Sequence, residues 1–476
     1  MNIALPKTFP VTCNNDFIGE NSIFVAIHGY HDSGINYIHQ AIEKGAKTIV
    51  IQNGTQLTHE LRSYIKNNNV SVIEVANTRQ ALAKLSAQYA HFPAHTLKII
   101  GITGTKGKTT TSFLLEHILA TAGYKTALIS TVHNKIIDTI FKAPLTTPQP
   151  DYLQQFLKTC VDHKVEYVIM EIAAQALTLH RVAGIPLSGI IFTNFSHEHL
   201  EFYPTLEEYF AAKCLIFNQK KDDAPILINN DDMWCKTIMA ENKYLSYGLK
   251  ESASTYAGTI TTDPLHEINL RVDTKMNTQL FFNCPTLYGY YNAYNMLAAL
   301  TMATELNISA EIIQKAFATF SGVPGRLQRY TLSNGAYAFI DYAHNPESFH
   351  AVLSTLRKLT SNLIVIFGAG GGRDKTKRPI MGTIAASYAD TVIITSDNPR
   401  KENANDIAHD IIAGISSEHR HKVICELDRK KAIEYAYALS SAQSIIALLG
   451  KGPDEYQIIG TTKHYFSEHT ILTELQ

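Results

Sequence analysis

The run Gly101-Ile102-Thr103-Gly104-Thr105-Lys106-Gly107-Lys108-Thr109-Thr110 has the residue types and spacing of a phosphate cradle. It follows the strand-like stretch LKII and opens the helix-like stretch TTSFLLEHILATA, which Gly123 is placed to cap. Glycines let the backbone wrap closely around phosphate, and the first turn of a helix offers unpaired amides and a positive dipole end. In this reading Gly104, Thr105, Lys106, Gly107 and Thr110 line the cradle. Lys108 reaches the terminal phosphates, and the Thr109 hydroxyl is available to Mg²⁺. The spacing departs from GxxxxGK followed by Ser or Thr, because Ile102 stands where the first glycine belongs and Gly101 comes one residue early. A glycine-rich structural turn is the competing reading. Strand, loop, Gly-Lys-Thr and helix together argue against it.

Mg²⁺ needs more oxygen than one hydroxyl supplies. Glu171 ends the strand-like VEYVIM, and His199 follows the strand-like GIIFTN. A solvated surface position accounts for either residue equally well in isolation, and their places after neighbouring strands favour the phosphate site. Lys213 lies in the helical stretch TLEEYFAAKCLIF, three or four residues from Tyr209, Phe210, Ile216 and Phe217. A lysine on such an apolar face holds its proton less firmly. Its neutral amine could then take up CO₂ as a carbamate, although a lysine snorkelling to solvent is the simpler account of the sequence by itself.

The elements that must position these groups alternate between strand and helix along nearly the whole chain. That pattern predicts α/β layers with mainly parallel sheets. At 476 residues the chain has room for about three domains of roughly 150 residues. We place them at 1–95, 96–325 and 326–476, with HFPAHT as the first linker and Val323-Pro324-Gly325-Arg326 near the second boundary. The helical stretch NAYNMLAALTMATEL puts Met296, Leu297, Leu300, Met302 and Leu306 roughly on one face. In the last third, strand-like runs each end in a polar cluster, where open parallel sheets bind ligands. Lys and Arg total 42 against 43 Asp and Glu, a net charge of −1. Bulk attraction to nucleic acid or an anionic membrane is therefore not expected. The six cysteines are scattered without a CxxC pair, against a zinc site or a disulfide framework. The start MNIALPKTFP lacks the pattern of a signal peptide, and no apolar run reaches about 18 residues. A cytoplasmic protein is expected.

Taken in order, GTKGKTTT, ME at a strand end, HEHLEFY, YFAAKC, GYYNAYN, PGR, DYAHNP, GGGRDKTKRPIMG, SDNPR and GKGPDEYQ resemble the Mur ligases over nearly the whole chain. The resemblance implies a three-domain α/β fold: an N-terminal domain for a UDP-linked substrate, a central P-loop ATPase-type parallel-sheet domain, and a C-terminal Rossmann-like domain for the incoming amino acid. It implies that Lys108, Thr109, Glu171 and His199 handle ATP and Mg²⁺, and that Lys213 carries a carbamate. Asn292 and Asn295 match adenine contacts. Arg326, Asp341 and His344 match nucleotide contacts from the domain junction. Thr146, Thr147 and Arg181 match the muramyl-peptide side. The implied reaction activates a carboxylate as an acyl phosphate and couples it to an amine, in peptidoglycan precursor synthesis, by a protein expected to be a monomer.

The amine is legible in Asp397-Asn398-Pro399-Arg400, which resembles the branch adding meso-diaminopimelate to UDP-MurNAc-L-Ala-D-Glu. Diaminopimelate has a second carboxylate where lysine has only hydrogen, and an arginine fork grips it with two charge-assisted hydrogen bonds. Arg373 matches the position for the other carboxylate, and Gly450 and Asp454 match the end that takes the far ammonium. Asp454 stands where the family usually has glutamate, and Glu455 follows it, so either carboxylate suits that ammonium. The muramyl side departs further. Ala173-Ala174-Gln175 replaces Ser-Ser-His, Leu179 replaces a common glutamine, and Asn14-Asn15-Asp16 replaces Asp-Ser-Arg. Two alternatives follow: a family paralogue joining another carboxylate and amine, or a non-catalytic nucleotide-binding regulator. The intact Lys108, Glu171, His199 and Lys213 speak against the second.

Overall fold

The computed structural model describes residues 3–29, 32–196, 198, 202–242, 244–250, 255–261, 268–273 and 279–476. The chain forms two compact units. One comprises Met1–Thr259, Arg271–Leu280 and Tyr294–Ala316, and the other Ile260–Leu270, Phe281–Ala293 and Phe317–Gln476.

The first unit begins with a small parallel sheet of Val11–Thr12, Ile23–Val25, Thr48–Gln52 and Ser71–Val75 in chain order. Helix Thr78–Tyr89 follows, its first amides capped by Asn77. The next strand, Lys98–Thr103, lies between Tyr167–Glu171 and Gly189–Phe192, parallel to both. Ile226–Asn229 and Leu245–Gly248 extend the sheet on one side in parallel. Thr126–Ile129 and the hairpin His133–Ile136 and Thr139–Lys142 extend it on the other. The central strands are almost wholly buried, because helices cover both faces of a parallel sheet. One such helix, Pro150–Asp162, buries Leu153, Phe156, Leu157 and Cys160.

The second unit is built on a six-stranded sheet ordered Gln328–Thr331, Tyr337–Asp341, Ile445–Leu449, Leu363–Phe367, Thr391–Ile394 and Val423–Cys425. All its pairs are parallel except the first. The hydrophobic runs of the sequence therefore become strands where expected. One pattern reads differently. In helix Tyr290–Glu305, Ala293, Ala298, Ala299 and Ala303 are buried along with Met296, Leu297, Leu300 and Met302, so apolar packing surrounds the helix instead of occupying a single face. Leu306 lies beyond its end. No helix among the described residues is long and apolar enough to cross a membrane.

Candidate active site

The registers Thr103 opposite Phe192, Ile102 opposite Glu171 and Ile129 opposite Met170 bring four carboxyl ends to one edge of the central sheet. The glycine-rich loop leaves that edge and enters helix Lys108–Thr121. Gly104 and Gly107 adopt φ of +137° and +84°, values that L side chains rarely take. A Cβ on Gly104 would collide with Thr193 Oγ1, and one on Gly107 with Asn295 Oδ1. These close approaches hold the loop. Thr193 Oγ1 donates to Lys106 O at 2.6 Å. Asn194 accepts from the Lys106 amide at 2.9 Å and donates to Lys106 O at 3.0 Å. Asn229 Nδ2 in turn donates to Thr193 O at 2.8 Å. Gly101 sits inside the strand, where a Cβ would press on Ile172 and Leu187 at 2.8 and 2.9 Å. The early glycine therefore serves packing, and Gly104 is the loop glycine.

Lys108 Nζ donates to Gly104 O at 2.8 Å and Thr105 O at 2.9 Å. Lys106 pairs with Glu198 at 2.7 Å. Thr109 Oγ1 donates to Glu171 Oε2 at 3.0 Å. Glu171 is fully buried, and Thr131 donates to it through its amide at 2.9 Å and its hydroxyl at 3.1 Å. Thr146 Oγ1 lies 3.1 Å from the Thr131 hydroxyl. Thr147 Oγ1 donates to Glu171 O at 2.8 Å, and Arg181 donates to Thr147 O at 3.1 Å. The expected metal-side and muramyl-side residues thus form one connected polar group. Thr109 and Glu171 present oxygen donors of the kind a hard cation takes together with phosphate and water. His199 lies outside the described residues.

Lys213 sits on helix Leu206–Cys214 and is 1% exposed. Its Nζ donates to Gly104 O at 2.8 Å, the same carbonyl that Lys108 engages, and lies 4.6 Å from the Tyr209 ring centre. Burial, and then the charge of Lys108, hold its pKa well below the usual lysine value. The snorkelling alternative is excluded, because the ammonium end is as buried as the stem.

Asn292 and Asn295 share one helix but have different partners. Asn292 Nδ2 donates to Tyr288 O at 2.9 Å, and Asn295 Oδ1 accepts from Thr111 Oγ1 at 3.3 Å. In the second unit, Asp341 ends its strand and accepts from the amides of Leu327 and Ala343, each at 2.8 Å. Arg326 lies over the Tyr342 ring at 5.2 Å, with its buried Nε lacking a hydrogen-bond partner among the described residues. Exposed His344 is 2.7 Å from Tyr342 O through Nδ1.

The amino-acid residues gather at the carboxyl ends of three adjacent parallel strands, Ile445–Leu449, Leu363–Phe367 and Thr391–Ile394. Asp397 pairs with the buried Lys451 at 3.3 Å. Asn398 Oδ1 accepts from the Ile458 amide at 2.9 Å, so this side chain anchors the hairpin Tyr456–Ile459 and Thr462–Tyr465. Arg400 adopts φ +52° and donates to Gly371 O at 2.8 Å. Arg373 is exposed on the same glycine-rich loop. Gly450, at φ +106°, donates its amide to Asp341 O at 3.1 Å. The two acidic candidates separate. Glu455 accepts from Ser467 Oγ at 3.2 Å, whereas burial, and then the charge of Asp397 against that of Lys451, pushes the Asp454 carboxyl up.

Known proteins resemble this chain over nearly its whole length. The chain is 37% identical over 468 residues to "UDP-N-acetylmuramoyl-L-alanyl-D-glutamate--2,6-diaminopimelate ligase 1" of Clostridium acetobutylicum, covering 96% of this chain and 92% of that one. A ligase of the same name, without the number, from Aquifex aeolicus is 36% identical over 478 residues, covering 100% and 95%. The chain belongs to the Mur ligase family. Models of the "Mur ligase family, catalytic domain", "Mur ligase middle domain" and "Mur ligase, glutamate ligase domain" match residues 10–90, 102–303 and 325–452 of this Mur ligase. A solved 2,6-diaminopimelate ligase superposes with TM-score 0.67 at 26% identity, covering 98% of this chain and 94% of that one. MurF of Thermotoga maritima, solved with ADP, superposes with TM-score 0.62 at 17% identity, covering 94% and 95%. This second likeness shows the shared three-domain α/β fold.

Sequence reading missed Thr131, Thr193 and Asn229, which brace Glu171 and the loop of this Mur ligase. Each follows or ends a central strand, so a search for polar residues at strand carboxyl ends would have found them. The divergent muramyl side is local. Ala173 precedes helix Ala174–Thr178 without a capping side chain, and Gln175 Nε2 is buried with no hydrogen-bond partner among the described residues. Asn14 accepts from the Asp16 amide at 2.9 Å, and Asn15 donates to Gln40 at 2.6 Å.

Proposed function

We propose that this Mur ligase couples 2,6-diaminopimelate, in its meso form, to UDP-N-acetylmuramoyl-L-alanyl-D-glutamate at the expense of ATP, in peptidoglycan precursor synthesis. The observation that carries the choice of amine is the Arg400 guanidinium bonded to the glycine-rich loop that bears Arg373. Two arginines on one loop pair, Arg400 held by the Gly371 carbonyl and Arg373 exposed beside it, suit an amino acid with two separate carboxylates. The relatives named above act on 2,6-diaminopimelate by their names.

The substrate carboxylate attacks the γ-phosphorus of ATP, the bond to ADP breaks, and an acyl phosphate forms. Lys108 and the loop amides stabilise the charge on the phosphoryl oxygens. The amine then attacks the acyl carbon, a carbon–nitrogen bond forms, and phosphate leaves while the nitrogen gives up a proton. Thr109 and Glu171, with His199 as a further candidate, would hold Mg²⁺, which supplies positive charge to the phosphates. Thr146, Thr147 and Arg181 orient the muramyl peptide. Asn292, Asn295, Arg326, Asp341 and His344 are the nucleotide contacts. Asp397, Asn398, Gly450 and Asp454 surround the amino acid, with Asp454 taking the far ammonium. Domain limits of 1–95, 96–325 and 326–476, a monomeric state and a cytoplasmic location complete this reading.

A paralogue joining a different carboxylate is the second reading, favoured by Ala173-Ala174 and by the buried Gln175 amide nitrogen, which has no hydrogen-bond partner among the described residues. Purified protein given ATP and the UDP-linked dipeptide is expected to release phosphate with meso-diaminopimelate and not with lysine. Arg400→Ala is expected to lower kcat/KM for diaminopimelate about 10- to 100-fold, the loss of roughly 1.5–3 kcal/mol of charged hydrogen bonding, with KM for ATP little changed. Equal release with lysine, or unchanged diaminopimelate kinetics in the variant, would remove the assignment of the amine. Turnover only with another acid would establish the second reading.

A further inference from the structure

The two loops bearing Arg373 and Arg400 are held together by a set of interactions that no role described so far uses. Arg378, on helix Lys377–Tyr388, is completely buried. Its guanidinium donates to Glu402 Oε2 at 3.0 Å, Asp410 Oδ2 at 2.9 Å and Gly370 O at 3.2 Å. Glu402 also accepts the Gly372 amide through Oε1, and Lys375 Nζ lies 3.4 Å from its Oε2. The backbone closes the same circuit. The Gly371 amide donates to Asn398 O at 2.9 Å, and the Glu402 amide to Pro399 O at 3.0 Å. Glu402 therefore grips the glycine-rich loop at Gly372 while standing two residues beyond Arg400.

The fit between the loops leaves no slack. A Cβ on Gly371 would collide with Pro399 O, and one on Gly370 would lie 3.1 Å from the Arg400 guanidinium and 3.6 Å from Arg373 Cγ. Gly370 thus occupies the space between the two arginines. Arg400 is fixed from its other side, its amide donating to Ile458 O at 3.0 Å and its carbonyl accepting from Gly460 at 2.8 Å. This φ-positive backbone persists only where its surroundings over-determine it. Arg378, first, and the Gly372 amide, second, hold the Glu402 carboxyl down at about 2, so it is charged across the working range of a cellular enzyme. A buried guanidinium with two carboxylate partners is costly to break, which makes the link stiff.

We propose that the Arg378–Glu402 pair is a positioning device that sets the separation of Arg373 and Arg400, and through it the preference for an amino acid with two carboxylates. The inference rests on the assignment of those two arginines to diaminopimelate. Glu402 acts here through Arg378 and the Gly372 amide and is a positioning residue. Its effect is therefore expected in discrimination between amines, not in nucleotide chemistry.

The test compares Glu402→Gln, Glu402→Ala, Arg378→Lys and Arg400→Ala in the full-length protein. KM and kcat are measured for meso-diaminopimelate, lysine and ATP, and the melting temperature is recorded for each variant. Glu402→Ala is expected to raise KM for diaminopimelate about tenfold, short of the roughly hundredfold that a full 1 Å misplacement can cost, and to lower the diaminopimelate-to-lysine preference by a similar factor. KM for ATP stays within about twofold. Glu402→Gln keeps an acceptor for the Gly372 amide and is expected to fall between wild type and alanine. Arg378→Lys keeps charge but loses the fork, and it carries the same expectation should Glu402→Ala not fold. A general loss of stability would move all three KM values together, and that result would overturn the proposal. Unchanged diaminopimelate KM and preference in folded Glu402 variants, with a raised KM in Arg400→Ala, would overturn the positioning role alone. Unchanged KM in Arg400→Ala would overturn the assignment of the arginines and the proposal with it.

Discussion

Lys108→Ala is expected to lower kcat roughly 10²- to 10³-fold, the usual consequence of removing one fixed donor from developing charge. The ammonium bonds to Gly104 O and Thr105 O, two carbonyls of the loop it belongs to. It is therefore held at the mouth of the cradle and can exchange carbonyl partners for phosphate oxygens with little reorganisation. Those loop bonds also fix the control. Loss of these carbonyl contacts in a loop that Thr193 and Asn194 independently brace is expected to leave the melting temperature nearly unchanged. Phosphate release and melting temperature, measured on the same preparation, separate the two effects. Lys108→Arg keeps the charge but cannot place a compact ammonium at the same point, and it is expected to recover only part of the activity. A fully active Lys108→Ala protein would show that the charge lies elsewhere, with Lys106 the nearest alternative in the sequence.

How far this site was legible in the sequence depended on the kind of constraint. Glu171 was placed because VEYVIM is a continuous apolar run that has to end at a polar edge, and parallel sheets gather such ends together. Asp341 and Gly450 were named through the family resemblance, although each also follows an apolar run. Thr193 was not, because a threonine after GIIF reads as ordinary strand composition, and its value lies in a collision with the missing side chain of Gly104, a pairing 89 residues apart along the chain. Gly101 was assigned to the loop because a motif counts residues, whereas the space between Ile172 and Leu187 makes it a packing glycine. The choice between Asp454 and Glu455 was open because adjacent carboxylates differ by one carbon in reach and in the direction they point, and the sequence does not give the direction. The structure directs Glu455 to Ser467 and Asp454 towards Asp397 and Lys451. Strand Ile268–Asp273 alternates strictly, burying Ile268, Leu270 and Val272, so its period-two signal was legible and was overlooked, whereas Gly258 in Tyr256–Ile260 and the adjacent Phe281 and Phe282 in Gln279–Cys284 blur the alternation of those strands.

Lys213→Ala is expected to reduce kcat about 10²-fold, the scale on which a small displacement of reacting groups acts, even though Lys213 is 109 residues from Gly104 in sequence. The argument begins with charge. Lys108 and Lys213 donate to one carbonyl oxygen, so two ammonium groups there would repel each other. Burial disfavours the charged form of Lys213 still further, and its pKa is depressed for both reasons. Above that depressed pKa the side chain is a neutral amine, able to add CO₂ as R–NH₂ + CO₂ → R–NH–COO⁻ + H⁺. The product turns repulsion into attraction and places anionic oxygens beside Lys108. As pH falls through the depressed pKa, protonation removes the nucleophilic lone pair and the carbamate is lost. Activity is therefore expected to decline on the acid side and to be partly restored there by added bicarbonate in wild type but not in Lys213→Ala. A carbamate carbon signal from ¹³C-bicarbonate should appear in wild type and vanish in the variant. If Lys213→Ala retained full activity, or the wild-type signal were absent while activity persisted, Lys213 would be a plain buried amine whose work ends at the Gly104 carbonyl.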